Sequence, residues 1–83
     1  MTTYIVTAAD NTFTATVKHD FYNGFTVVCD TTHEGLNLYE MRTFLAALCE
    51  ASEVETITVE DLDPKHGSKS TGPVRDMLSM IRY

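Results

Sequence analysis

Gly67-Ser68-Lys69-Ser70 has the makings of the end of a phosphate-binding loop: small residues that expose backbone amides, a lysine ammonium and an adjacent hydroxyl. The full pattern asks for a glycine five residues before Gly67, where the chain has Leu62, and for a helix opening at the lysine. The next helix signal comes only at Pro73, so the segment reads as a solvated loop. Lys65 and Lys69 remain as anion contacts, with the amides that open the following helix converging on them. His19, His33 and His66 fall on separate loops or loop edges, and none has a second His or Cys at zinc-ligand spacing. Cys29 and Cys49 lie in apolar patterns without a Cys-x-x-Cys motif. They read as reduced, buried small hydrophobes; they could face each other across a core, and a disulfide between them is left open. No two of the twelve acids stand out as a carboxylate pair for glycoside chemistry. These residues predict no enzyme, no cofactor and no resident metal.

Charge is more informative. Glu34, Glu40, Glu50, Glu53, Glu55, Glu60, Asp61 and Asp63 crowd into residues 34–63, with Arg42 as the only base. Eleven of the twelve acids, but only two of the six bases, lie in residues 1–64, and the formal net charge is −6. A solvated face is the plainest reading of such a run. The sharper reading is a negative surface that repels phosphates and complements a basic protein, such as one that binds nucleic acid. Direct nucleic-acid binding is thereby disfavoured. Phe21-Tyr22, between Asp20 and Asn23, sits where a hairpin tip is expected. One ring is expected to close the end of the core and the other to serve as a partner anchor.

The elements that must position these residues are legible from periodicity. Leu36 to Ser52 carries the clearest helix signal, with Asn37 as N-cap, Glu40 completing a capping box, and Leu38, Met41, Leu45, Leu48 and Cys49 on one stripe. Residues 3–8, 12–18 and 25–30 alternate as strands before it, and residues 55–60 form a strand after it. Asn23-Gly24 supplies hairpin chemistry. Residues 31–35 and 61–72 read as polar loops. Val74, Met77, Leu78 and Ile81 give a second helix running from Pro73 to Tyr83. A helix joining two strands usually makes a crossover between parallel strands, so the fourth strand is expected to run parallel to the third, in the order 3-2-1-4. The fold class is therefore α+β, in the order β-β-β-α-β-α. Its mixed, mostly antiparallel four-stranded sheet packs two helices on one face.

At 83 residues the chain reads as a single compact domain, 1–83, without repeats. No apolar run approaches the ~20 residues of a membrane span. Met-Thr-Thr-Tyr-Ile-Val-Thr lacks the basic and long apolar regions of a secretion signal, so the chain reads as complete and cytoplasmic. In size and charge, on no shared motif, it resembles the small proteins that phages use against host defences, anti-CRISPR proteins among them. That resemblance implies an inhibitor working in the host cytoplasm. The function expected is a small acidic protein-binding inhibitor or adaptor that engages a basic partner through residues 34–63, with the 20–23 tip. The alternatives are a homodimeric accessory or structural protein, joined through the threonine-rich sheet face or a sheet edge, and a small anion-binding domain using the 61–72 loop.

Overall fold

Alternation of β-branched or aromatic residues with polar ones makes strands that are apolar on one side only, and such strands need a cover. The computed structural model describes residues 2–63, 65 and 67–82. Its elements in chain order are β1 (Thr2–Ala8), β2 (Thr14–Asp20), β3 (Gly24–Val28), β4 (Thr32–Leu36), α1 (Leu38–Ala51), β5 (Thr56–Asp61), β6 (Lys69–Pro73) and α2 (Val74–Leu78). Tyr4, Val6 and Ala8 of β1, Ala15 and Val17 of β2, Phe25 and Val27 of β3, and Ile57 and Val59 of β5 are buried on one face. Met41, Leu45 and Cys49 of α1 and Leu78 of α2 join them in a single core, with Ile81 beyond the helix. Both helices thus pack on the same face of the sheet.

The cap of α1 forms as its sequence dictates. Asn37 Oδ1 accepts from the Glu40 amide at 2.7 Å, and Glu40 Oε1 accepts from the Asn37 amide at 3.0 Å. A helix of 14 residues is marginal in water. Burying three side chains at about 1.5–3 kcal/mol for each large one is what holds it.

The α+β class agrees with the sequence, but the sheet is larger than the four strands expected. It has six strands in the order β4-β3-β2-β1-β5-β6. Every neighbouring pair is antiparallel, so it is not mixed. The two additions are β4 and β6, at the edges, where polar loops were expected. Thr-His-Glu-Gly-Leu and Lys-Ser-Thr-Gly-Pro lack the alternation of an inner strand. Edge strands tolerate polar residues, Gly and Pro because one side has no ladder to complete. With β6 formed, the expected 61–72 loop shrinks to the residues between Asp61 and Lys69.

The additional strand β4 also corrects the expected direction. The strand that feeds α1 is β4, not β3. Stepping through the antiparallel neighbours, β4 and β5 run the same way and β3 and β5 run opposite ways. The parallel-crossover rule holds, applied to the right strand. The second helix is shorter than expected: it ends at Leu78, and residues 79–82 continue as turn and irregular chain rather than helix; Tyr83, and His66 of the loop, lie outside the described residues. The chain after α2 is latched instead. Arg42 Nη2 donates to Ser79 O at 3.2 Å and Ile81 O at 2.9 Å, and the Tyr4 hydroxyl donates to Arg82 O at 3.3 Å.

Two glycines with positive φ separate conformational need from space. Gly24 (φ +76°) opens β3, and a Cβ there would lie 2.7 Å from the Leu36 carbonyl oxygen; at Gly35 (φ +70°) a Cβ would meet nothing within 4 Å. Gly35→Ala is expected to cost about 1 kcal/mol for the backbone alone, and Gly24→Ala roughly 2–3 kcal/mol because a strand carbonyl must also move. Urea unfolding of the two variants checks this; equal losses would show that the β3–β4 contact yields freely.

Candidate functional site

The end of α1 is built as a six-residue C-cap. Glu53 N–H donates to Glu50 O at 3.1 Å and Val54 N–H to Cys49 O at 2.8 Å. This is the Schellman pattern, with the apolar pair Val54 and Cys49 at its characteristic contact positions. The residue at its left-handed position is normally glycine, but here it is Glu53, with φ of 56°. The turn throws Glu53 and Glu55 outward on either side of Val54, which is buried. Val74, the first residue of α2, donates its N–H to Glu55 O at 3.1 Å and sets the opposite wall.

Between these parts lies an open groove of about 640 Å³, lined by Ala46, Cys49, Glu50, Glu53, Val54, Glu55 and Val74. Its floor is aliphatic apart from the Cys49 thiol, and burial raises that thiol above the usual cysteine range. At neutral pH the floor is therefore uncharged, and the carboxylates stand above it. A neighbouring recess of about 270 Å³ is lined by Ala9, Asp10, Glu53, Val54, Glu55 and Thr56. It adds Asp10, which the acidic run of residues 34–63 did not include. Asp10 comes in because Ala8 pairs with Ile57 and Ala9 N–H donates to Thr56 O at 3.0 Å. The Thr12 hydroxyl and then its amide hold the Asp10 carboxyl below its ordinary range. Arg75 and Asp76, in the first turn of α2, bring one charge of each sign to this end. The apolar half of the groove, Ala46, Val54 and Val74, carried no sequence signal beyond ordinary core patterning.

The other acids are dispersed. Glu34 is exposed on edge strand β4. Glu40 is occupied in the cap at the far end of α1. Glu60 lies in register with Lys69 of β6. Asp61 accepts from the Asp63 amide at 2.9 Å, and Asp63 in turn accepts from the Lys65 amide at 2.8 Å. Three of the eight acids therefore share one groove. Arg42, the only base of that stretch, points instead at the tail carbonyls. Lys69 opens β6, whereas the amides of α2 follow the other end of that strand. The first of those amides is already bonded to Glu55.

At the β2–β3 tip neither aromatic closes the core. Phe21 is 88% and Tyr22 89% exposed, in edge-to-face contact with centroids 5.3 Å apart. The tip is too short to fold either ring back, and Phe25 already fills that end. Asp20 orders it by accepting from the Tyr22 amide at 2.8 Å and from Asn23 Nδ2 at 3.3 Å, which lowers its pKa, the Tyr22 bond contributing most. The two described histidines pack on aromatic rings: those of His33 and Phe44 lie 4.3 Å apart, and those of His19 and Phe25 4.6 Å, and His33 Nε2 also shares a hydrogen bond with the Thr31 hydroxyl at 2.8 Å. Both cysteines are free thiols. Among the described residues, no three of His, Cys, Asp and Glu converge as metal ligands, and no helix is long and apolar enough to cross a membrane.

The sheet face away from the helices has its own order. Thr14, Thr7, Thr58 and Thr71 form one register row, with the Thr58 and Thr71 hydroxyls 2.7 Å apart. The adjacent row runs Thr32, Val28, Thr16, Ile5, Glu60, Lys69 across all six strands. Compared with family models, curated proteins and solved structures, the chain matches none.

Two outcomes are expected from the groove's construction. Glu53→Gly relieves the left-handed backbone and raises unfolding stability by about 1 kcal/mol, measured by chemical denaturation. No gain would mean that the Glu53 side chain makes an offsetting contribution. Cys29, half-buried, reacts with a thiol reagent under native conditions, while Cys49 reacts only on unfolding; mass spectrometry after timed labelling separates the two.

Proposed function

We propose that this chain acts by binding rather than by chemistry, as a small acidic inhibitor or adaptor that docks on a basic, nucleic-acid-binding protein. The supporting observation is the gathering of Glu50, Glu53 and Glu55 around one groove, with Asp10 in the adjoining recess. Arg42, the base nearest to these acids in sequence, turns its guanidinium to the tail carbonyls of Ser79 and Ile81. Partly screened carboxylates at one end of a small domain steer encounter with a cationic surface and give it orientation. Such a domain occupies its partner's phosphate-binding surface in place of nucleic acid, in the manner of anti-CRISPR proteins. Phe21 and Tyr22, presented on an ordered tip, are a second contact of the aromatic kind that anchors interfaces. The tip and the groove lie at opposite ends of the sheet, so a partner that uses both must lie along its length.

A second reading rests on the open sheet face. Ile5 and Val28 flank Thr16 in one row, half-buried and uncovered by either helix. A second copy laid on this face makes the chain a homodimeric accessory protein. The edges serve less well for self-association, because Lys69 and Pro73 on β6 and the Gly35 kink on β4 disfavour an added strand.

The two readings separate in solution. Tagged protein is expected to hold a basic nucleic-acid-binding assembly from lysate at low salt and to release it at high salt, and the triple variant E50K/E53K/E55K is expected not to hold it. Retention indifferent to both salt and charge reversal would sink the docking reading. A dimer that persists at high salt and is lost in Ile5→Lys, followed by sedimentation equilibrium, would carry the second.

A further inference from the structure

We propose that the groove between α1 and α2 is a receptor for an arginine side chain presented by the partner. This rests on the docking reading above and gives that site its chemistry. The groove has two parts that ask for different things. Its floor, Ala46, Cys49, Val54 and Val74, offers hydrocarbon and an uncharged thiol. Its rim, Glu50, Glu53 and Glu55, offers three carboxylates. A purely apolar ligand leaves the rim unmatched, and a phosphate or carboxylate is repelled by it. A compact metal ion is a poor match too, because among the described residues these carboxylates do not converge as a ligand set. What fits is a long side chain that is aliphatic along its stem and cationic at its end.

Arginine meets this better than lysine. Its guanidinium is planar and weakly hydrated, and its fork of donors engages carboxylates on more than one side, whereas an ammonium is a compact, strongly hydrated point charge. The groove is open to solvent, so the segment that carries the arginine can run across its mouth. The ligand is therefore an arginine within a peptide segment, not a free guanidinium. Glu53 belongs to the assignment as well. It stands at a left-handed position where glycine is the relaxed choice, and it supplies a rim carboxylate that glycine would lack.

The test uses the intact, isotope-labelled protein and three capped tripeptides, Gly-Arg-Gly, Gly-Lys-Gly and Gly-norleucine-Gly, followed by NMR. The arginine peptide is expected to give saturable shifts centred on Ala46, Val54 and Val74, and to bind about tenfold more tightly than norleucine and severalfold more tightly than lysine. Ala46→Phe fills the groove from an exposed helix position while keeping every carboxylate, and is expected to abolish those shifts. Glu53→Gly is expected to weaken them without unfolding the chain. Equal binding of arginine and lysine, shifts scattered over all the acids, or an Ala46→Phe variant that binds as before would overturn the receptor assignment. Those outcomes leave the docking reading standing if E50K/E53K/E55K still releases the basic assembly. Charge reversal without effect on that capture would sink the docking reading itself.

Discussion

The sheet has one face that must be kept from water, and α1 and α2 cover it side by side, α1 over β3 and β4 and α2 over β5 and β6. Val6, Ala15, Val17, Phe25, Val27 and Ile57 present a dry surface four strands wide. Exposing even a few of those side chains would cost on the order of the whole stability of a domain this size. Met41, Leu45 and Cys49 close that surface, with Leu78 and Ile81 filling in beside β5 and β6. The helix in turn is too short to persist without the face it covers. Sheet and helix are thus mutually conditional.

That condition sets the path of the chain. α1 leaves one edge of the sheet at β4 and must deliver the chain to β5, beyond β3, β2 and β1. It therefore ends abruptly, and the chain has to reverse within a few residues to enter a strand. The Schellman turn at Ser52, Glu53 and Val54 is that reversal. Because the turn tucks Val54 under the helix end, the polar residues on either side of it are forced outward. The acidic groove is in this sense a by-product of how the helix stops, elaborated with carboxylates at the positions that have nowhere else to point.

Several of the polar and titratable side chains are taken up by the fold itself. Every histidine described here is engaged in ring packing, the buried thiol is held protonated, and the basic residue nearest the acids is committed to the C-terminal tail. Exposed surface includes the carboxylates around the groove at one end of the sheet, Phe21 and Tyr22 at the other, and the threonine rows of the open face.

The inner strands, the α1 cap and the inward residues were legible from sequence because local periodicity and local hydrogen bonding determine them. Phe25 and Val27, Ile57 and Val59, and Asn37 with Glu40 lie where their spacing puts them. The edge strands were not legible. Thr32–Leu36 and Lys69–Pro73 become strands because a neighbour offers a ladder, and their own residues carry no alternating pattern. Missing β4 also misdirected the crossover, since the rule was applied to the wrong strand. The acids behave likewise. Their number and their excess over bases are sequence properties, but which of them meet is a matter of tertiary geometry. Eight crowded carboxylates resolve into Glu50, Glu53 and Glu55 at one groove, while Asp10, forty residues away, reaches the adjoining recess through β1–β5 pairing. Composition alone determined the sign of the surface; long-range strand pairing and the turn that ends α1 decided where that charge is concentrated.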